Sequence, residues 1–170
     1  MSQLDIILVS YNTADYTKRA IESVYDETRD TSFKVIMVDN NSSDDSVELI
    51  SKTFPDVEII QTGENLGFAG GVNVGAKASE SEYILLLNPD TVILEGAIDK
   101  LMVYAKKTPQ AGIWGGVTLN NDLSLNPNNA RAQLSFKNLL FSALGLSKVF
   151  NKSCFFNHDN YGCWGRNSER

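Results

Sequence analysis

Near-continuous apolar runs of strand length, each followed by a polar cluster and then a helical pattern, constrain this chain most. Leu4 to Val9 reads LDIILV, Phe33 to Val38 reads FKVIMV and Glu82 to Leu87 reads EYILLL. None alternates strictly, as a strand with one wet face would. Val57 to Gln61 is a shorter strand, and Gly112 to Leu119 (GIWGGVTL) is predicted as a fifth. Between them the period changes. Thr13 can cap a helix carrying Ala20, Ile21 and Val24. Ser43 can cap a second, with Asp44 and Asp45 in its first turn, Val47, Ile50 and Phe54 on its apolar face, and Pro55 at its end. A segment rich in Gly and Asn, Gly63 to Gly75, runs into a third helix that ends near Ser79. Ile98, Leu101, Met102 and Ala105 mark a fourth, from Glu95 to Lys107. Strands buried on both faces and joined by helices specify an α/β fold: a Rossmann-like, mostly parallel sheet with helices on both sides.

Ligands of such sheets sit at the C-terminal strand ends, where this sequence concentrates its polar residues. The first strand ends in Ser10-Tyr11-Asn12, the second in Asp39-Asn40-Asn41 and the fourth in Asn88-Pro89-Asp90. A carboxylate at Asp90, on a turn stiffened by Pro89, can reach a hard cation such as Mg2+ or Mn2+, which is often held by one or two carboxylates plus substrate phosphates. Asn88 can add a neutral oxygen. The same tripeptide also reads as a plain strand-ending turn with a helix cap. Asp39 can accept a hydrogen bond from a pyrimidine N3–H or a ribose hydroxyl, and serves equally well in an Asx-turn or as a cap for the helix after Ser43. Gly63 to Gly75 lets backbone approach a ligand, with Asn65 and Asn73 as donors and acceptors. It has no GxGxxG spacing. Gly70, Gly75 and Lys77 do not make a P-loop, because Ala76 intervenes and no Ser or Thr follows the lysine.

A net charge of −6 excludes a phosphate-coating nucleic-acid binder, which needs a basic face. No apolar stretch reaches the roughly 20 residues that span a bilayer. Without a visible secretory signal, Cys154 and Cys163 are expected to be reduced in a cytoplasmic protein. His158 lies between them, but with no fourth ligand or CxxC spacing zinc is not expected. Asn120 to Asn129 is a loop. Ser135 to Phe150 is expected to be an apolar helix. It either packs on the sheet domain or on a missing half or, flanked by Lys137 and Lys148, lies on the inner face of a membrane, and if left uncovered it would favour a homodimer. Asn151 to Arg170 has no period and is expected to be poorly ordered.

Four runs then match a known pattern in order and spacing: ILVSYN (Ile7 to Asn12), VIMVDNNSSDDS (Val35 to Ser46), NLGFAGGVNVGA (Asn65 to Ala76) and YILLLNPDT (Tyr83 to Thr91). The chain resembles the family 2 glycosyltransferases of GT-A fold, and among them the rhamnosyltransferase-like branch. The resemblance is close from Leu4 to about Leu119 and loose to Phe150. It implies a dTDP- or UDP-sugar donor, a divalent metal, and inverting transfer to a glycan or lipid-linked acceptor of the cell envelope. Residues 1–119 would be the nucleotide-sugar-binding domain and 120–170 the start of an acceptor half. By this analogy Ser10, Tyr11 and Asn12 line the nucleotide pocket and Asp39 contacts the base. Asn65, Gly67 and Asn73 border the nucleoside. Asn88-Pro89-Asp90 stands where the family has its Asp-x-Asp metal motif, leaving Asp90 as the sole carboxylate ligand.

The family also carries an acidic motif, typically Glu-Asp, that supplies a general base. The last twenty residues offer only Asp159 and Glu169, outside any such pattern. The chain is therefore expected to be truncated and to lack that base, the alternative reading being a non-catalytic remnant that binds nucleotide or dimerises.

Overall fold

The structure is a computed structural model that describes residues 2–126, 140, 141, 143–150 and 153. The expectations for Lys137, Cys154, His158, Cys163 and the tail fall outside these residues. By contact density the chain divides into two units, Met1–Trp114 and Gly115–Arg170.

The first unit follows the predicted alternation. Strand β1 is Leu4–Ser10, helix α1 Ala14–Glu27, β2 Phe33–Asp39, α2 Ser46–Thr53, β3 Glu58–Gln61, α3 Gly67–Ala78, β4 Tyr83–Leu86 and α4 Ala97–Lys107. The strands form one sheet in the order β3-β2-β1-β4. All its pairings are parallel, with Ile7 opposite both Ile36 and Leu86, and Val38 opposite Ile60.

Side-chain alternation along the strands makes two cores. Leu4, Ile6, Leu8, Val35 and Met37 face Ala20, Ile21 and Val24 of α1, Ile50 of α2, and Ile98 and Met102 of α4. Ile7, Val9, Ile36 and Val38 face the other way, against Val72, Val74 and Ala76 of α3. Burying such a side chain is worth about 1.5–3 kcal/mol, so β1 and β2, buried along almost their whole length, anchor the fold. Helix α3 packs on β1 and β2. On edge strand β4, Ile84 and Leu86 remain 44% and 49% exposed.

Three local expectations change. Ser43 does not cap α2. Asp45 occupies the cap position, and Asp44 Oδ1 accepts from the Ser46 N–H (3.1 Å) and hydroxyl. Asp44 Oδ2 also accepts the Ala14 N–H at 3.2 Å, so one carboxylate serves the starts of α1 and α2. Burial pushes its carboxyl up, but these hydrogen bonds outweigh that and hold it below the ordinary carboxylate range. Gly112 to Leu119 is not a strand. Gly112, Gly115 and Gly116 interrupt it, Ile113 stays 90% exposed, and strand interiors disfavour glycine.

In the second unit, Leu119 and Leu125 make an isolated antiparallel bridge. The expected helix over Ser135 to Phe150 is broken where it is described. Gly145 takes a left-handed conformation (φ +71°) and a short helix, α5, follows at Leu146–Val149.

Candidate functional site

The C-terminal ends of β1, β2 and β4 and the N-terminus of α3 form one rim. Ser10 and Asp39 are register partners there, and the Asn40 N–H donates to the Ser10 carbonyl at 2.8 Å.

Asp39 is 3% exposed. Its Oδ2 accepts the N–H of Ser42, three residues on, at 3.2 Å, which ties down the loop after β2. Its Oδ1 is buried and has no hydrogen-bond partner. Such an orphan costs about 1–3 kcal/mol, more when charged. The strand holds it there: the Asp39 carbonyl accepts from the Thr62 N–H (3.0 Å) and hydroxyl (3.1 Å).

Asn40 is the residue that sequence reasoning passed over. It is also 3% exposed. Its Nδ2 donates to Asn65 Oδ1 (2.9 Å) and to the Gly67 carbonyl (3.3 Å), and its Oδ1 accepts the Leu66 N–H (2.9 Å). Asn65 Oδ1 also accepts the Gly67 N–H at 2.9 Å. Two amides thus clasp the start of α3 to the end of β2. The sequence hint was an amide directly after a strand-ending aspartate.

The other predicted residues divide. Tyr11 is 48% exposed on the rim. Ser10 cannot line a pocket with its side chain, being fully buried with its hydroxyl bonded to those of Thr13 and Thr17 at 3.0 and 3.1 Å. Asn12 adopts φ +53°, and its Oδ1 accepts the Ser43 N–H at 2.7 Å. It joins the loop after β1 to the loop after β2. Asn65 is exposed but its oxygen serves the clasp. Gly67 begins α3 at φ +69°, a conformation that favours glycine, with open space where a Cβ would stand.

Gly71 and Gly75 face the sheet rather than a ligand. A Cβ on either would lie 2.6 Å from Val9 Cγ1 or Ile7 Cγ2. Asn73 lies between them on the helix, hence on the opposite side, and is exposed.

Asn88, Pro89 and Asp90 form a turn closed by the Thr91 N–H on the Asn88 carbonyl at 3.1 Å, with Pro89 in the position that suits its fixed φ. The preceding Leu87 N–H still pairs with the Ile7 carbonyl at 3.0 Å, so the turn starts level with the last residues of β1. Asn88 and Asp90 are both exposed. Among the described residues no three His, Cys, Asp or Glu side chains cluster to hold a metal. The arrangement fits a divalent ion held by one carboxylate and completed by a ligand's phosphates, not a protein-made cage.

The chain is 29% identical over 164 residues to the poly(ribitol-phosphate) beta-N-acetylglucosaminyltransferase TarP of Staphylococcus aureus, covering 90% of this chain and 50% of that one. It is 26% identical over 153 residues to an N-acetylglucosaminyl-diphospho-decaprenol L-rhamnosyltransferase of Mycobacterium tuberculosis, covering 84% and 50%. The chain thus spans about half the length of these relatives. Residues 1–349 of S. aureus TarS in complex with UDP superpose with a TM-score of 0.57 at 22% identity, over 63% of this chain and 33% of that one. That likeness is one of fold, the α/β GT-A type. The family model described as glycosyl transferase family 2 matches residues 5–161, and with almost the whole chain inside that match, this protein belongs to glycosyl transferase family 2.

Proposed function

We propose that this chain is the donor-binding part of an inverting, metal-dependent glycosyltransferase, with residues 1–119 as the nucleotide-sugar-binding domain. The donor is a dTDP- or UDP-sugar, dTDP-rhamnose being the specific choice, and the acceptor is a glycan or a lipid-linked glycan. The observation that carries this reading is the buried, unpartnered Asp39 Oδ1 at the strand-end rim. A pyrimidine N3–H is a donor of the right kind for it, and both uracil and thymine have one. The TarS structure with UDP and the rhamnosyltransferase relative support the donor class.

In this reading Asp39 orients the base and Tyr11 borders it. The clasp of Asn40 and Asn65 holds the first turn of α3, whose positive dipole end favours an anionic ligand. Asn88 and Asp90 stand at the diphosphate. Bound at Asp90, Mg2+ or Mn2+ would neutralise the charge that develops on the departing diphosphate. The remaining contribution of the chain is positional: the donor is held with its anomeric carbon turned outward.

Titration of UDP and dTDP with and without Mn2+, on wild type and Asp90→Ala, tests this. Metal-strengthened binding that Asp90→Ala abolishes is expected. Absence of nucleotide binding with metal present would refute the donor-domain reading. Metal-independent binding untouched by Asp90→Ala would refute the role given to Asp90.

A further inference from the structure

We propose that Asn12 is a positioning residue for donor binding, acting through Asp39 rather than by touching the ligand, an inference that rests on the donor-binding reading above. Ser10 and Asp39 are register partners at the ends of β1 and β2. Beyond them each loop turns through an asparagine in the left-handed region, Asn12 at φ +53° and Asn41 at φ +67°. Asparagine enters that region more readily than most residues. The two loops then meet. The Asn12 N–H donates to the Ser42 hydroxyl oxygen at 3.0 Å. Asn12 Oδ1 accepts the Ser43 N–H at 2.7 Å and the Ser43 hydroxyl at 3.2 Å. A backbone N–H can only donate, so the atom it meets is the amide oxygen, and the amide nitrogen takes no part.

The turn that Asn12 holds is the one that holds Asp39. The Ser42 N–H donates to Asp39 Oδ2 at 3.2 Å, while Oδ1 has no partner. With one oxygen engaged, rotating the carboxylate costs that hydrogen bond. Among the described residues, the side-chain hydrogen bonds that reach Ser42 and Ser43 run to Asn12 and Asp39. The side chain of Asp44 ties Ala14 to the start of α2 and bonds neither serine. The two loops therefore stay joined without Asn12, but the turn over Asp39 loses its outer anchor.

Asn12→Gly keeps a backbone conformation that glycine adopts freely and removes only exposed bonds, so the melting temperature of the 170-residue chain should change little. UDP binding in Mn2+ should weaken by about three- to tenfold, because a smaller share of molecules holds Asp39 in place. Pyrophosphate binding should not change. Asn12→Asp keeps an oxygen for both Ser43 donors and should recover most of the lost affinity, which a carboxylate could not do for a side chain that bonds the ligand through its NH2. In an Asp39→Asn background Asn12→Gly should have no further effect, the coupling expected of residues that act as one. Ser42→Ala removes the acceptor of the Asn12 N–H and should weaken UDP in the same way, and it decides the matter if Asn12→Gly does not fold. Four results would each overturn the positioning role and leave the donor-domain reading standing: UDP affinity unchanged or raised in Asn12→Gly, an equal loss for pyrophosphate, Asn12→Asp as weak as Asn12→Gly, or losses at Asn12 and Asp39 that simply add. If wild type binds no UDP, both fall.

Discussion

Asn40→Asp is the sharpest test of how the rim is held together. It changes almost no volume, so no cavity complicates its reading. The Leu66 N–H must meet an oxygen, which fixes the orientation of the Asn40 amide and leaves Nδ2 toward Asn65 and Gly67. Replacing that nitrogen with oxygen removes two hydrogen bonds and keeps the third. Each lost bond is worth about 0.5–1.5 kcal/mol net, or about 1–3 kcal/mol together. The change also sets an acceptor against two acceptors at what were contact distances of 2.9 and 3.3 Å. It introduces a second carboxylate next to buried Asp39, in a site that is 3% exposed. These effects raise the loss toward the top of that range at neutral pH. Urea denaturation followed by circular dichroism measures it, and amide exchange at Leu66 and Gly67 locates it. A variant within about 0.5 kcal/mol of wild type, the scatter of ordinary surface changes, with unchanged exchange at both amides, would refute the clasp as a structural device.

Two further perturbations probe the frame around the rim. Gly75→Ala forces a methyl to 2.6 Å from Ile7 Cγ2 and 3.2 Å from Val38 Cγ2. Overpacking of this kind should cost about 1–3 kcal/mol, despite the better helix propensity of Ala, and a higher melting temperature would contradict the close approach of α3 to the sheet. At the opposite end of β1, Asp5 is 1% exposed and accepts from the Ser79 and Ser81 hydroxyls at 2.8 and 2.7 Å and from the Glu80 N–H at 3.0 Å. Burial pushes its carboxyl up, and the hydroxyls of Ser81, Ser79 and Ser2 more than reverse this, leaving it below the ordinary value. A lowered folded-state value stabilises the fold above the unfolded value of about 3.9, and that stability is lost as pH falls through the folded value. Asp5→Asn should therefore be less stable than wild type by about 2 kcal/mol at neutral pH, with the gap closing in denaturation curves taken below pH of about 3.9. A gap constant with pH would remove the carboxylate's charge from the explanation.

The strands and α1 were legible because the signal is dense. LDIILV and FKVIMV are too apolar to be anything but buried, and Ala20, Ile21 and Val24 fall on one helical stripe. The glycine segment was only half legible. A glycine that lets a ligand approach and one that lets a helix approach a strand look identical in sequence, and Gly71 and Gly75 are of the second kind. GIWGGVTL has strand-forming residues, yet three glycines left it outside the sheet. At the rim, residue type pointed to the right place but not to the right task. Ser10 turned inward to Thr13 and Thr17, and Asn12, though exposed, bonded Ser43 in the loop after β2, which sequence spacing cannot display. Asp39 kept a buried atom without a partner, and Asn40 was missed because its partners lie 25 and 27 residues away.

The strand order carries a consequence for how the chain reaches this state. β1 is synthesised first but ends up in the interior of the sheet, between β2 and β4. Its pairing with β2 needs only the crossover through α1, whereas its other edge waits for Tyr83–Leu86. Until that segment leaves the ribosome, one side of LDIILV is an open template for a foreign strand. Pairings this distant in sequence form slowly, and unpaired apolar strands in such intermediates aggregate. Expression at lower temperature, or a chaperone holding the nascent chain until β4 arrives, should therefore raise the soluble yield more than changes confined to the rim.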